Sequence, residues 1–316
     1  MPSYHQTTLA RSVSLSGVGV HSGAPVTATF KPAPAGTGLQ FRRKGENGTP
    51  DRTFRAHADH VGATALCTVL GDVSNGGIST VEHILAALRG MDIDNAVVEV
   101  NNAETPIADG SSVAFVEAIE SAGTVKQDAP RRYLKVLKPV RVEHKGGWAE
   151  LLPHSGGFRL EVEIDFDNAA IGRQSLNIDL TPKNFRTQLA FARTFGFMKD
   201  VEKLLQMGFA RGSSLDNSVV VDDNGVVNPG GLRAADEFVR HKTLDAVGDL
   251  ALAGLPILGL YRSYKGGHYM NISTVRALYA DSSAWTIVEA AAPRLVPSFT
   301  PVLQPSFGHA VAESAA

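Results

Sequence analysis

The feature of this sequence that most constrains its fold is a pattern that occurs twice: a helix with a histidine, a glycine that ends it, and an apolar strand directly after it. Gly90 ends the first helix and Gly254 ends the second. The predicted helices cover residues 79–89 and 235–253, and the strands that follow cover residues 95–100 and 257–261. This repetition predicts an α+β fold made of two similar two-layer α/β sandwich domains, a duplicated plan with helices layered on each sheet.

The chain has 316 residues, enough for two domains of ordinary size. We place an N-terminal domain at residues 1–129 and a C-terminal domain at residues 130–288. Residues 128–132 contain Pro130 and are predicted to be a linker. The stretch 289–316 is rich in Ala, Pro and Ser, and we expect a mobile tail there. Further helices are predicted at residues 111–122 and 200–207, and further strands at 26–30, 133–142, 149–152, 158–164 and 218–221.

Charge, hydropathy and cysteine content exclude several classes of protein. The formal net charge is -2, which argues against a nucleic-acid partner. No apolar run is long enough for a transmembrane helix, and residues 1–10 are too polar for a signal peptide. The single cysteine, Cys67, excludes an intrachain disulfide and a cysteine-rich metal site. These features predict a cytoplasmic protein in which any metal ion is held by histidine and carboxylate.

The second-half helix carries His241 and Asp245, which lie four residues apart. Side chains at this spacing stand on adjacent turns of one helix face and can reach the same cation. One imidazole nitrogen and one carboxylate oxygen suit zinc. On its own, the pair is better explained as an ordinary solvated His–Asp pair that stabilises a surface helix.

The segment around His83 allows two interpretations. Ser79 and Glu82 have the spacing of a capping box, a common helix start. Alternatively, His83 is a third metal ligand and Glu82 a general base beside it, since catalytic zinc sites use three protein ligands and leave one position for water.

Two other residues remain ambiguous from their local sequence. His268 follows two glycines, which places it on a turn, as an exposed loop histidine or as a protonated group paired with Asp249. Cys67 lies in an apolar run and is either a reactive nucleophile or part of the core or of a cavity lining. The sequence contains no dinucleotide fingerprint, phosphate loop, nucleophile elbow or His-Glu-x-x-His motif.

Taken together, six ordered segments resemble one known family. They are LSGVGVHSG at 15–23, STVEH at 79–83, PIADGS at 106–111, ARTFGF at 192–197, FVRHKTLD at 238–245 and GH at 267–268. The chain resembles the UDP-3-O-acyl-N-acetylglucosamine deacetylases, the zinc amidases of lipid A biosynthesis in Gram-negative bacteria. The resemblance extends from about residue 8 to residue 288.

The resemblance implies an active site between the two domains. It assigns one zinc ion to three ligands: His83, His241 and Asp245. Iron(II) is an alternative in the cell, because histidine and carboxylate bind both metals. The resemblance makes Glu82 the general base. It implies that His268 is a protonated partner oriented by Asp249, and that the hydroxyl of Thr194 stabilises the developing oxyanion.

The same resemblance implies a substrate site that accepts an acyl chain. Phe195 and Lys242 would line this site, and we also place His21 and Cys67 there. An apolar passage would be formed around residues 197–213. Its apolar side chains are Phe197, Met198, Val201, Leu204, Leu205, Met207 and Phe209, which are also compatible with an amphipathic core helix.

One position departs from the family pattern. Some members carry a lysine directly before Trp-Ala-Glu, where it helps to bind the UDP end of the substrate. Here Gly147 precedes Trp148, and Lys145 lies two residues away from the expected position. Contacts from this loop to the diphosphate are therefore left open.

The implied function is hydrolysis of the N-acetyl group of UDP-3-O-(3-hydroxyacyl)-N-acetylglucosamine, which releases acetate. Two alternatives are compatible with the sequence: a non-catalytic protein that binds acylated sugar nucleotides, and a deacetylase of another N-acyl sugar. We expect a small-molecule acylated UDP-sugar as the partner, no nucleic acid, a monomeric state, and only transient contact with a membrane surface.

Overall fold

The computed structural model describes residues 4–45 and 50–291 of the chain. Its first part contains two helices, α1 (Glu82–Gly90) and α2 (Val113–Ala122). The strands of this part are β1 (His5–Leu9), β2 (Val13–Val18), β3 (Pro25–Pro32), β4 (Leu39–Arg43), β5 (Arg52–Arg55), β6 (Ala96–Val100) and β7 (Thr124–Pro130). Short 3-10 turns lie at Ala58–His60 and Val73–Asn75.

The second part adds four helices: α3 (Pro182–Asn184), α4 (Met198–Gln206), α5 (Glu237–Leu250) and α6 (His268–Ala280). Its strands are β8 (Arg132–Val136), β9 (Val140–His144), β10 (Gly147–Leu152), β11 (Phe158–Asp165), β12 (Arg173–Asp179), β13 (Phe195–Phe197), β14 (Val219–Val221), β15 (Ile257–Tyr264) and β16 (Trp285–Glu289). A π-helical turn, Phe185–Leu189, continues α3, and a 3-10 turn, Ala251–Ala253, continues α5.

Each part of the chain has its own main sheet. The first sheet has the strand order β2-β3-β6-β4-β5, in which only β4 and β6 run parallel. The second sheet contains the path β12-β11-β15-β10-β9, with β8 paired to β15 and to β16. Two small pairs, β1-β7 and β13-β14, complete the pairing. Helix α2 contacts β2 of the first sheet, α1 contacts α2 and α5, and α5 and α6 contact strands of the second sheet.

The sheets form because apolar and polar side chains alternate along their strands. In β3, Val26, Ala28 and Phe30 are buried while the residues between them are only half-buried. In β11, Leu160 and Val162 follow the same alternation. One face of each sheet is therefore apolar and packs against helices, as a two-layer sandwich requires.

Helices α1 and α5 pack against each other, and a glycine makes their approach close. A Cβ atom built on Gly248, in the last turn of α5, would lie 2.0 Å from the carbonyl oxygen of Glu82 in α1. A glycine inside a helix costs roughly 1 kcal/mol in helix propensity relative to alanine. At this position the missing side chain allows the two backbones to touch, which places both helices at one site.

The predicted α+β fold class is confirmed: the described residues form several sheets together with helices. The predicted linker at residues 128–132 is wrong as a secondary-structure assignment. Strand β7 continues to Pro130, and β8 begins at Arg132. Proline is tolerated there because it is the last residue of an edge strand. The domain bounds themselves stay a prediction.

The capping box predicted at Ser79 is wrong. Helix α1 begins at Glu82, its N-cap residue is Val81, and no side chain caps it. Ser79 instead forms an isolated bridge with Glu104. Its backbone N–H is thus used by a neighbouring segment, and Glu82 is free to face the interior.

The predicted turn at His268 is also wrong, since this residue is the first of helix α6, which the sequence analysis missed. Strand β12 was missed as well, and the predicted strand 133–142 is divided into β8 and β9. Of the predicted tail 289–316, Glu289 ends β16, and residues 292–316 lie outside the described residues. Among residues 4–45 and 50–291, no helix has the length and apolar character needed to cross a membrane.

Candidate active site

Three side chains with metal-binding groups meet where α1 crosses α5. His83 is the second residue of α1, and His241 and Asp245 lie one turn apart on α5. One nitrogen of each imidazole and one oxygen of the carboxylate all lie within 4.8 Å of one another. Asp245 Oδ1 is 3.6 Å from His83 Nε2 and 3.3 Å from His241 Nε2. All three residues are buried, so a cation here would be shielded from solvent.

The hydrogen bonds around this cluster leave its ligand atoms available. His241 Nδ1 lies 3.1 Å from the Ala192 carbonyl oxygen, so it carries the proton and leaves the Nε2 lone pair pointing at the cluster. Lys242 Nζ donates to Asp245 Oδ2 over 2.9 Å. Asp245 Oδ1 is buried and has no hydrogen-bond partner among the described residues. A buried carboxylate oxygen without a donor is costly, and a bound cation would satisfy it.

The protonation states also fit metal binding. Burial lowers the pKa of His241 to about 4, so its imidazole is neutral near pH 7. Burial alone would raise the pKa of Asp245, but the adjacent His241 and Lys242 outweigh it and hold that pKa well below its usual range. A metal ion binds neutral imidazole and ionised carboxylate, which are the forms present here.

Glu82 lies beside the cluster and is almost completely buried. Its Oε2 accepts a hydrogen bond from the backbone N–H of Thr68 over 3.0 Å. Burial raises the pKa of Glu82, although the nearby imidazoles of His268 and His83 oppose the shift. A carboxylate with a raised pKa is a better proton acceptor near neutral pH than an ordinary surface glutamate.

His268 faces Glu82 from the start of α6. Its Nδ1 donates to Asp249 Oδ2 over 2.9 Å, and its Nε2 lies 3.9 Å from Glu82 Oε1 and 4.0 Å from Asp245 Oδ2. Burial lowers the pKa of His268, but the charge of Asp249 and the hydrogen bond to it outweigh burial and raise the pKa to about 9. The imidazole is therefore protonated at pH 7, with one N–H directed at the site.

Asp249 accepts hydrogen bonds from two further residues near the site, Thr68 and Asn271, which sequence reasoning missed. Thr68 Oγ1 donates to Asp249 Oδ1 over 2.6 Å, and Asn271 Nδ2 donates to Asp249 Oδ2 over 2.7 Å. Thr68 thus contacts both Glu82 and Asp249. Asn271 lies one turn after His268 on α6, so recognising that helix would have placed both side chains on one face.

A cavity of about 250 Å³ opens onto these groups. Of the predicted substrate-site residues, His21, Phe195 and Phe197 line it, and so does Thr194. The other lining residues are Val20, Leu66, Thr80, Glu82, His83, Ile107, Gly196, Asp200, Val201, Leu204, Ala210, Ser213, Ser218, Val220, His241, Asp245 and His268. The cavity therefore joins the polar cluster to an apolar wall.

The predicted passage around residues 197–213 divides into two faces. Phe197, Val201 and Leu204 line the cavity, while Leu205 and Met207 are exposed. Helix α4 thus presents one apolar stripe to the cavity and a second one to solvent. Phe209 packs edge-on against His21, with ring centroids 5.3 Å apart.

Two predicted substrate-site residues do not line the cavity. Cys67 is buried next to Thr68, and burial, together with the charge of Glu82, raises the pKa of its thiol to about 12. It therefore stays a neutral thiol, which is a poor nucleophile. Lys242 is engaged by Asp245, which outweighs the effect of burial and raises the lysine pKa.

A buried carboxylate that contacts two cavity-lining residues, Glu104, was also missed. It accepts hydrogen bonds from the backbone N–H groups of His21 and Ser22 and from the hydroxyls of Ser22 and Thr80. Glu104 thereby fixes the turn that carries His21. Its place just before the PIADGS segment was the available signal in the sequence.

The chain is similar to known proteins over most of its length. Residues 6–280 match the family model of UDP-3-O-acyl N-acetylglycosamine deacetylase. Proteins named UDP-3-O-acyl-N-acetylglucosamine deacetylase from Brucella ovis, Brucella abortus and Brucella melitensis are each 53% identical over 288 residues. These alignments cover 90% of this chain and 99% of each relative. The chain therefore belongs to the UDP-3-O-acyl N-acetylglycosamine deacetylase family.

Proposed function

We propose that this protein is a metal-dependent deacetylase of lipid A biosynthesis. It hydrolyses the N-acetyl group of UDP-3-O-(3-hydroxyacyl)-N-acetylglucosamine to give the free amine and acetate. The observation that carries the proposal is the convergence of three metal-type ligands, a buried carboxylate and a protonated imidazole on one cavity. The names of the Brucella relatives supply the substrate.

His83, His241 and Asp245 would hold the metal, and zinc is the ion that suits two imidazoles and one carboxylate best, with iron(II) as the alternative. When bound, such an ion supplies Lewis acidity, which lowers the pKa of water to about 7 and polarises an amide carbonyl. The unpartnered Oδ1 of Asp245 supports this assignment.

Glu82 is the general base in this proposal. Its carboxylate borders the cavity, and its raised pKa suits it to take a proton from the attacking water. The backbone N–H of Thr68 holds one carboxylate oxygen and leaves Oε1 facing His268. Glu82 can therefore accept a proton without losing its orientation.

His268 and Thr194 stabilise the charge on the amide oxygen, and His268 is also one candidate for protonating the amine that leaves. Protonated His268 stabilises the negative charge that develops on the amide oxygen, and the Thr194 hydroxyl donates to the same oxygen. The amine leaves only after it is protonated. Either His268 or the protonated form of Glu82 delivers that proton, since both border the cavity.

The apolar wall of the cavity would receive the acyl chain. Phe197, Val201 and Leu204 offer a surface that a sugar alone does not need. Phe195 packs beside the metal ligands, with its ring centroid 6.2 Å from that of His241, where it can contact the sugar. We further propose a monomer that works in the cytoplasm and touches the membrane surface only transiently.

The test combines metal analysis with an assay of acetate release. Purified protein is analysed for bound metal, then assayed on the acylated UDP-sugar before and after chelation. We expect one zinc or iron per chain, loss of activity with the chelator and recovery when metal is added back. Metal without acetate release would indicate another N-acyl sugar as substrate. Absence of both would indicate a non-catalytic binding protein.

Glu82→Gln is the matched variant for this test, because it keeps the shape of the side chain and leaves all three ligands in place. We expect it to bind metal normally and to lose activity by about 10²-fold or more. Near-normal turnover by this variant would remove Glu82 from the role of base.

A further inference from the structure

Arg89, in the last turn of α1, is buried without enough partners for its charge. The residue is only 6% exposed. Its Nε and Nη1 atoms make no hydrogen bond to any residue that the structure describes. Its nearest counter-charge is Asp94, with Nη1 and Oδ1 3.8 Å apart, which is beyond hydrogen-bond distance. Burial lowers the pKa of this guanidinium to about 10.

The local structure compensates Arg89 only in part. A cation at the C-terminus of a helix is favoured by the helix dipole. Asp94, however, is already engaged by a stronger partner, because Arg131 Nε donates to its Oδ1 over 2.9 Å. Asp94 Oδ2 accepts the backbone N–H of Thr7. The Nε and Nη1 atoms of Arg89 are therefore unsatisfied buried donors, which are rare in folded proteins and call for a reason.

Arg89 lines a cavity of about 400 Å³ that shares no lining residue with the active-site cavity. Arg55 and Arg132 also line it, are exposed, and have no ion pair with a described residue. Asp94 is the single acidic residue of the lining. Three arginines face one aspartate that Arg131 already neutralises, so the cavity carries excess positive charge.

We propose that this cavity is a binding site for a small soluble oxyanion of the phosphate class, either inorganic phosphate or a phosphate monoester. The anion would contact the part of the Arg89 guanidinium that lines the cavity, while Arg55 and Arg132 would hold it from the rim. Guanidinium groups suit this ligand because their paired N–H donors match the geometry of a phosphate.

The site lies on the helix that carries the catalytic residues. Glu82 and His83 stand at the start of α1 and Arg89 at its end, about 10 Å away along the helix axis. The two sites are therefore separate, and phosphate bound at one does not occupy the other.

The test is isothermal titration of the metal-loaded full chain with inorganic phosphate, against sodium chloride of equal ionic strength. Arg89→Met is the main variant, since it fills the same space and leaves Asp94 paired with Arg131. We expect this variant to lose about tenfold or more in phosphate affinity. The rim variant Arg132→Gln should lose less phosphate affinity than Arg89→Met. Arg186→Gln, an exposed arginine beside Glu120, should bind phosphate as the unmodified chain does.

Phosphate binding that is equal in Arg89→Met and the unmodified chain would overturn the proposal, because phosphate would then be bound elsewhere, for example at the metal. Failure of the unmodified chain to bind phosphate would overturn it as well.

A second arm uses glycerol 3-phosphate and vesicles of phosphatidylcholine with phosphatidic acid. We expect binding of the former and no Arg89-dependent binding of the vesicles, because a buried guanidinium cannot reach a lipid surface. Vesicle binding that Arg89→Met abolishes would overturn the assignment to a soluble anion.

Discussion

Among single residues, Asp249 has the widest influence on the site. It is completely buried, and its two oxygens receive three hydrogen bonds from side chains. Without it, burial would lower the pKa of His268; with it, that pKa rises to about 9. The protonation state of His268 is therefore set by a residue outside the cavity lining.

The first prediction concerns pH. The pKa of His268 is raised above its usual value, so the imidazolium is present below about pH 9 and is lost as the pH rises through that value. We expect kcat/KM to fall above about pH 9. Asp249→Asn removes the negative charge that raises the pKa of His268, so burial then lowers that pKa. The alkaline limb of the kcat/KM profile should therefore move down by at least about one pH unit. The measurement is a pH profile of both proteins.

An alkaline limb at the same pH in both proteins would contradict this assignment. His268→Gln is the control, because it should lower activity and remove the limb altogether.

The second prediction concerns Thr68, which contacts Asp249 through its hydroxyl and Glu82 through its backbone N–H. Thr68→Val keeps the shape and the backbone contact but leaves Asp249 Oδ1 without its donor. We expect kcat to fall roughly tenfold with little change in KM, since outer partners of this kind typically contribute 10- to 100-fold. Thr68→Ser should restore the rate. A Val variant as active as the Ser variant would show that the hydroxyl has no role.

At the scale of elements, the contact between α1 and α5 decides whether the site exists. Glu82 and His83 come from one helix, and His241 and Asp245 from the other. The contact depends on Gly248, whose position relative to the Glu82 carbonyl leaves no room for a side chain.

The third prediction follows from that contact. In Gly248→Ala the added methyl group would lie 2.0 Å from the Glu82 carbonyl oxygen, so the helices have to move apart. We expect a loss of about 1–3 kcal/mol in the free energy of unfolding and a lower metal affinity. Denaturant unfolding and metal titration measure both. Gly230→Ala is the control, because no atom lies within 4 Å of its added Cβ. Equal stability of the two variants would refute the close-contact argument.

The fourth prediction uses two neighbouring residues of α4. Leu204 lines the cavity, whereas Leu205 is 46% exposed. Leu204→Asn should raise KM for a long-chain substrate roughly tenfold, because polar groups bury poorly beside an acyl chain. A short-chain substrate should be affected much less. Leu205→Asn should behave as the unmodified protein. The same chain-length dependence in both variants would assign the acyl chain to another surface.

The helices differ in how well they could be predicted from the sequence. The periodic helices α1, α2 and α4 were predicted within a few residues, because their apolar stripes are strong. Helix α5 is buried on nearly every face, and its length and the Gly254 stop identified it instead. Helix α6 was missed because its first residues, after two glycines, resemble a turn and its apolar pattern is weak. Because α6 was not predicted, Asn271 was not recognised as a neighbour of His268.

The residues that converge on the site came from resemblance more than from local pattern. His241 and Asp245 had a spacing that suited a metal, but the segment of His83 looked more like a capped helix start. Thr68 could not be found, because nothing in a local sequence indicates which buried hydroxyl faces a site built from distant segments. Glu104 had only one signal, its place just before the PIADGS segment.

At the scale of the whole molecule, the cluster joins the two parts of the chain. His83 belongs to the first part, and His241 and Asp245 to the second. A metal ion held by all three would bind the folded state and not the unfolded one, and would therefore raise stability by mass action.

The fifth prediction is that metal removal lowers the melting temperature. Free metal at 100 times its dissociation constant should stabilise the protein by about 2.7 kcal/mol. Thermal unfolding with and without chelator measures the shift. His83→Ala is the control, and its melting temperature should respond much less to metal. An equal response in both proteins would indicate metal binding elsewhere.

The division of the site between α1 and α5 has a consequence for protein synthesis. A ribosome releases α1 long before it has made α5, so the growing chain exposes the face of α1 that later packs against Gly248. Until α5 is complete, that chain can neither bind the metal nor react with substrate. Activity therefore begins only when most of the chain has been made, and a prematurely terminated product is inactive rather than partly active.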